Sequence, residues 1–182
     1  MADTKIFIVA SENIDKLALA NNLVEKNDDL SIAPRFTNDK SYMDSVNDNY
    51  IYYLSTQDID LTYKNNFVLY INTDNYISKG ITLDMFYNND IFLMTPEDFN
   101  NISSVIFKSS YDIIIIWLDT NYTSKFHKDI IESEFLERRL NEEELKYMYF
   151  FNEDNDIIAD TILEYIDCGD EDRKNDILLR NN

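Results

Sequence analysis

A chain of 182 residues with 45% hydrophobic content suits one domain with a real core and is too apolar for a disordered segment. Sixteen Lys and Arg against 35 Asp and Glu leave a formal net charge of −19, which argues against nucleic-acid binding, since phosphate contacts need clustered basic residues. One cysteine, Cys168, excludes an internal disulfide framework, and one histidine, His127, gives little support to a Ser-His-Asp enzyme or a zinc site, so no metal is expected.

The acidity is spread along the chain, thickest in the C-terminal third, and reads as a solvated surface. No apolar run approaches membrane-spanning length, and no basic segment followed by an apolar one opens the chain. The expectation is no membrane, no signal peptide, and a cytoplasmic or other reducing intracellular compartment. The abundance of Asn, Ile, Tyr and Asp has the look of an AT-rich genome.

Lys5-Ile6-Phe7-Ile8-Val9-Ala10 reads as a buried strand. Ile14, Leu17, Ala18, Leu23 and Val24 then recur on one helical face up to about Lys26. Strand, loop with a lysine, helix is the frame of a phosphate-binding loop, whose motif is G-x-x-x-x-G-K-[ST]. Here the motif falls on Ala10-x-x-x-x-Asp15-Lys16-Leu17, and the lysine alone matches. Glycines let such a loop wrap phosphates with its N–H groups, and the hydroxyl holds Mg²⁺. Ala10, Asp15 and Leu17 supply neither, and Glu12 and Asp15 add negative charge.

Leu30 to Ala33 reads as a second short strand ended by Pro34-Arg35, and 36–49 as a polar loop with Tyr42 and Met43 tucked inward. Tyr50 to Leu54 is a strand, and Ser55-Thr56-Gln57-Asp58 opens a helix with Ser55 as its cap. Phe67 to Asn72 and Tyr76 to Leu83, with Gly80, read as an antiparallel pair in a small β-rich insert. Asp90 to Met94 is a strand, followed by a short helix opening at Pro96. Tyr111 to Leu118 is the most apolar strand and is expected near the centre of the sheet; Thr123 to Lys146 reads as charged and helical. Tyr147 to Phe151 is a last strand, and Ile157, Ile158, Thr161, Ile162, Tyr165 and Ile166 line a closing helix. Alternating strands and helices imply an α/β fold with a mostly parallel sheet covered on both faces.

This order of elements resembles the guanylate kinase family of P-loop nucleotide kinases. The resemblance rests on the strand and Lys16 loop, on Pro34-Arg35, and on Tyr50 to Asp58. Further support comes from Asn65 to Tyr70 with Asn75-Tyr76, from Ile113 to Leu118, and from Phe150-Phe151-Asn152-Glu153 with Asp156. It implies a P-loop NTPase-like three-layer domain over residues 1–166, with an insert at about 36–86 and a C-terminal acidic tail at 167–182. It also implies nucleotide-phosphate candidates Lys16, Arg35, Arg138 and Arg139, and former acceptor-pocket candidates Tyr52, Tyr53 and Tyr76. Much of the family's chemistry has no match: a second acceptor arginine falls at Ile32, a guanine-reading glutamate at Leu69, and the acidic residues near the metal around Met94 to Pro96.

Each candidate also has an ordinary reading. Lys16 can be a solvated helix residue pairing with Asp15 or Glu12, and Arg35 a surface ion pair. Tyr52, Tyr53 and Tyr76 can be core and rim of a strand. Arg138 and Arg139 beside Glu142, Glu143 and Glu144 fit helix-face ion pairs, and Asn152 a turn. The expected function is a catalytically inactive guanylate kinase-like domain serving as a protein-binding or structural module, with an unidentified protein partner and no cofactor. The alternative is a nucleoside monophosphate kinase with a divergent phosphate loop, using ATP and Mg²⁺.

Overall fold

The computed structural model describes residues 4–42, 50–62, 66–72, 77–104, 106–119, 137–142 and 144–181. Its main sheet is built from β1 (Thr4–Val9), β6 (Ile91–Met94), β7 (Asp112–Asp119) and β8 (Lys146–Phe151), in the order β6-β1-β7-β8. All three pairings are parallel, with Ile6 opposite both Ile91 and Ile114, and Ile116 opposite Met148. Parallel strands are covered on both faces and so read as continuous apolar runs.

Successive side chains of β1 leave opposite faces, because strand side chains alternate. Ile6 and Ile8 join Ile114, Ile116 and Met148 against α1 (Lys16–Lys26) and α6 (Asn155–Asp167). Phe7 and Val9 join Phe92 and Ile115 on the other face, where the Phe7 and Phe92 rings stack at 4.8 Å. That second face is covered by α3 (Leu83–Asn88), by α4 (Pro96–Asn100), and by residues of a second sheet, among them Phe36, Leu69 and Ile81.

The second sheet is the expected insert. It orders β3 (Ile51–Tyr53), β2 (Arg35–Thr37), β5 (Ser78–Thr82) and β4 (Phe67–Asn72) as β3-β2-β5-β4, with α2 (Thr56–Thr62) between β3 and β4 in sequence. β4 and β5 are antiparallel, as their sequence suggests; β2 pairs parallel to β3 and antiparallel to β5. Gly80 is required at the crossing of these strands. A Cβ there would lie 2.1 Å from the Leu69 carbonyl oxygen and 2.9 Å from the Phe36 ring.

Several boundaries differ from expectation. Arg35 to Thr37 is a strand rather than the start of a polar loop, and Phe36 is fully buried. A single apolar residue between polar ones carries no period-2 signal, so the strand is defined by its partners on both sides. Tyr42's side chain and Met43 lie outside the described residues. Leu30 to Ala33 reduces to one bridge, Ile32 to Ile91, since Pro34 has no N–H with which to continue a ladder. The first helix begins at Lys16, because Asp15 caps it, and its fully buried residues are Leu19, Ala20 and Leu23; Ile14, Leu17 and Val24 pack at the margin. Ile157 points outward from α6. Of the charged segment 123–146, residues 137–142 are helical (α5), Lys146 already belongs to β8, and residues 123–136 lie outside the described set.

Residues 171–180, within the segment read as an acidic tail, form α7 (Glu171–Arg180) and bury Lys174, Ile177 and Leu178. Lys174 Nζ lies 2.9 Å from Asp112 Oδ2, and Lys146 Nζ lies 2.9 Å from Asp112 Oδ1. The Tyr165 hydroxyl donates to the same carboxylate at 3.3 Å. No helix among the described residues is long and apolar enough to cross a membrane.

Candidate functional site

Ligands of open α/β sheets bind beyond the carboxyl ends of the strands, where the chain departs in opposite directions. Here that place is the turn from β1 into α1, residues 10–15. The Ala10 N–H donates to the Met94 carbonyl at 3.1 Å, and the Ile14 N–H closes a tight turn on Ser11 O at 3.1 Å. An anion cradle of consecutive backbone N–H groups needs residues in the left-handed region. Among the described residues only Glu144 and Asn152 have positive φ, so none of residues 10–15 does. The loop lacks the backbone of an anion nest as well as the glycines.

Asp15 and Lys16 fill the place with internal contacts. The Asp15 carboxylate accepts the Ala18 N–H at 3.0 Å as the cap of α1, so a fixed negative charge already satisfies part of the helix N-terminus. Lys16 Nζ turns back and donates to the carbonyls of Ser11 at 2.8 Å, Ala10 at 3.1 Å and Ile14 at 3.5 Å. It is therefore neither extended into solvent nor in direct contact with Asp15 or Glu12. Burial pushes its ammonium below the ordinary lysine range; Asp98 pulls the other way, Arg35 adds to the lowering, and Glu12 and Asp15 oppose it.

Arg35 meets a residue that sequence reasoning missed. Asp98, in the first turn of α4, is completely buried. Its Oδ2 accepts from Arg35 Nη2 at 2.9 Å, and its Oδ1 lies 3.1 Å from Lys79 Nζ. Thr95 and Asp98 form a reciprocal cap: the Asp98 N–H donates to Thr95 Oγ1 at 3.1 Å and the Thr95 N–H to Asp98 Oδ2 at 3.3 Å. Arg35 Nη1 also reaches the Leu93 carbonyl at 3.3 Å. Burial alone would raise the Asp98 pKa, but Arg35, Lys79 and the Thr95 N–H outweigh it and hold the carboxyl below its usual range. Arg35 is thus in an ion pair, as its ordinary reading has it, but with a buried partner rather than at the surface. The one sequence signal for Asp98 was the Thr95-x-x-Asp98 capping pattern at the start of α4; Lys79 carried none.

The structure brings Lys16, Arg35 and Asp98 into one electrostatic neighbourhood and places the other two cations elsewhere. Arg138 pairs with Glu142 at 2.8 Å along exposed α5. Arg139 donates to the carbonyls of Phe99 and Ile102 and lies over the Phe99 and Phe107 rings, 5.2 and 5.3 Å from their centroids. It caps the end of α4. Tyr53 is half-buried in β3 opposite Thr37. Tyr52 is described for its backbone alone, and Tyr76 lies outside the described residues. Asn152 adopts φ 56° and donates its N–H to Asp119 O at 3.0 Å, as a turn residue does. Among the described residues no group of His, Cys, Asp and Glu is placed to hold a metal ion.

No family model matches the chain, and no curated protein sequence matches it. Its fold does match solved structures. One is the guanylate kinase from Anaplasma phagocytophilum, at a TM-score of 0.57 and 11% identity over 99% of this chain and 87% of that one. At that identity the likeness establishes a guanylate kinase-like fold.

Proposed function

We propose that the chain is a guanylate kinase-like domain that no longer transfers phosphoryl groups and serves as a protein-binding or structural module. The observation that carries this reading is the state of Lys16. In a working phosphate loop the lysine neutralises the transferred phosphates, the glycine backbone cradles them and a hydroxyl holds Mg²⁺. Here the lysine is held by three carbonyls of its own loop, and an aspartate caps the helix that should receive the anion. A nucleotide phosphate would have to displace Lys16 from those carbonyls and meet the charges of Asp15 and Glu12.

Phosphoryl transfer is positioning plus charge neutralisation, and single groups of this kind contribute roughly 10²–10⁵ in rate. Arg35, Arg138 and Arg139 are engaged with Asp98, Glu142 and the Phe99 and Ile102 carbonyls, which supports the same reading. The expected result of a coupled assay with ATP and GMP or dGMP is no turnover above background. Turnover that vanishes in Lys16→Ala would overturn the reading in favour of a divergent nucleoside monophosphate kinase. The protein should also show no rise in melting temperature with Mg-ATP, because a ligand bound only to the native state must raise it.

A further inference from the structure

We propose that Asp98 is a clamp that fixes the insert sheet on the main sheet, making the insert a fixed wall rather than a hinged one. Arg35 lies on β2 and Lys79 on β5, the two central strands of the insert. Both reach the one carboxylate of Asp98, which stands on α4 directly after β6 of the main sheet, at 2.9 and 3.1 Å. Each oxygen faces one insert strand: Oδ2 accepts a hydrogen bond from Arg35, Oδ1 meets Lys79 as an ion pair without a hydrogen bond, and the carboxylate has no exposure to water. Arg35 Nη1 adds a second tie, to the Leu93 carbonyl of β6.

The charged groups around Asp98 are Arg35 from β2, Lys79 from β5 and Lys16 from α1, with Glu12 and Asp15 beyond Lys16. Among the described residues Asp98 is the anion that Arg35 and Lys79 share, and without its charge these two insert cations, on adjacent strands, face the main sheet with no counter-charge. A buried carboxylate held this way is unforgiving of small displacements, because a partner that moves off leaves an uncompensated charge. Enzymes that enclose substrates do so with loops or domains that open and close. The clamp sets the insert in place with no ligand bound. The inference is independent of whether the chain transfers phosphate.

The test reads the distance between the two sheets directly. Nitroxides are placed through Ser41→Cys beside the insert and Glu171→Cys on α7, in a Cys168→Ser background, and their distance distribution is measured by pulsed electron resonance. A control pair, Glu25→Cys with Glu171→Cys, stays on the main-sheet helices. The clamped protein should give one narrow distribution for both pairs. Asp98→Asn should broaden the insert pair by about twofold or more while the control pair keeps its width. An unchanged insert pair, or equal broadening of both pairs, would overturn the clamp. Should Asp98→Asn fail to fold, Lys79→Met keeps the Arg35 pair and should broaden the insert pair to a smaller degree; no broadening there overturns the proposal equally.

Discussion

The Asp15 carboxylate meets one amide, that of Ala18, and its contribution can be measured alone. Asp15→Ala should lower stability by about 1 kcal/mol in urea denaturation, the usual worth of such a cap. If Asp15 also stands in for an anion, the same change should leave Mg-ATP without effect on melting, because the cradle and the metal hydroxyl are still missing. Gly80 is a harder constraint. The atom that an added Cβ would strike first is the Leu69 carbonyl oxygen, which is backbone paired into the sheet and cannot swing aside. Gly80→Ala should cost about 3 kcal/mol, the upper end for overpacking, by the same measurement. A loss under about 1 kcal/mol would mean that β4 and β5 separate more easily than their pairing implies.

At the scale of elements, what could be read from the sequence follows a physical division. β1, β6 and β7 are buried on both faces, and such strands announce themselves as apolar runs whatever their partners; β8, at the sheet edge, buries Met148 and Phe150 on one face and still reads as an aromatic run. Of the short insert strands, β3 was legible from its aromatic and β-branched residues, while β2 has no such signature. Arg35-Phe36-Thr37 is a strand because β3 and β5 lie on either side of it, and that information sits some fifteen and forty-five residues away in the chain. The site divides the same way. The missing glycines and the Lys16 position were legible because a phosphate loop is local. The Arg35–Asp98–Lys79 cluster was not, because three distant segments build it. α7 was hidden for a related reason: its buried face is short, and its lysine is buried by pairing with Asp112 on β7. Asp112→Ala would leave Lys174 and the Tyr165 hydroxyl without their shared acceptor. It should destabilise the protein by about 3–5 kcal/mol and make residues beyond Cys168 the first site of limited proteolysis. Burial, then the charge of Asp112, push the Tyr165 phenol up to about 12, so it stays protonated as a donor at neutral pH.

For the whole molecule, two ion-paired carboxylates, the buried Asp98 and the partly buried Asp112, give stability a defined dependence on pH. Asp98 and Asp112 both titrate below their ordinary range in the folded state: burial opposes this, and Arg35 and Lys79, or Lys146 and Lys174, prevail. A lowered carboxyl pKa contributes stability above the unfolded value of about 3.9, and that stability is lost as pH falls through the folded values. The denaturation midpoint should therefore hold down to about pH 4 and collapse below it. In Asp98→Asn the collapse should be shallower, since one of the two groups no longer titrates.

The pairing of β1 with strands far along the chain has a consequence for how the molecule comes to exist. β1 leaves the ribosome well before β6 and β7, its neighbours in the finished sheet, so Ile6 waits for Ile91 on one side and Ile114 on the other. The β4–β5 hairpin, by contrast, is local and closes as soon as it is made. Long-range parallel pairing is slow, and during the wait Ile6, Phe7, Ile8 and Val9 form a flat apolar ribbon with two open edges. Newly made chains are thus most vulnerable to aggregation between synthesis of β1 and synthesis of β7, and a holding chaperone acting early should raise soluble yield more than one acting on the completed chain.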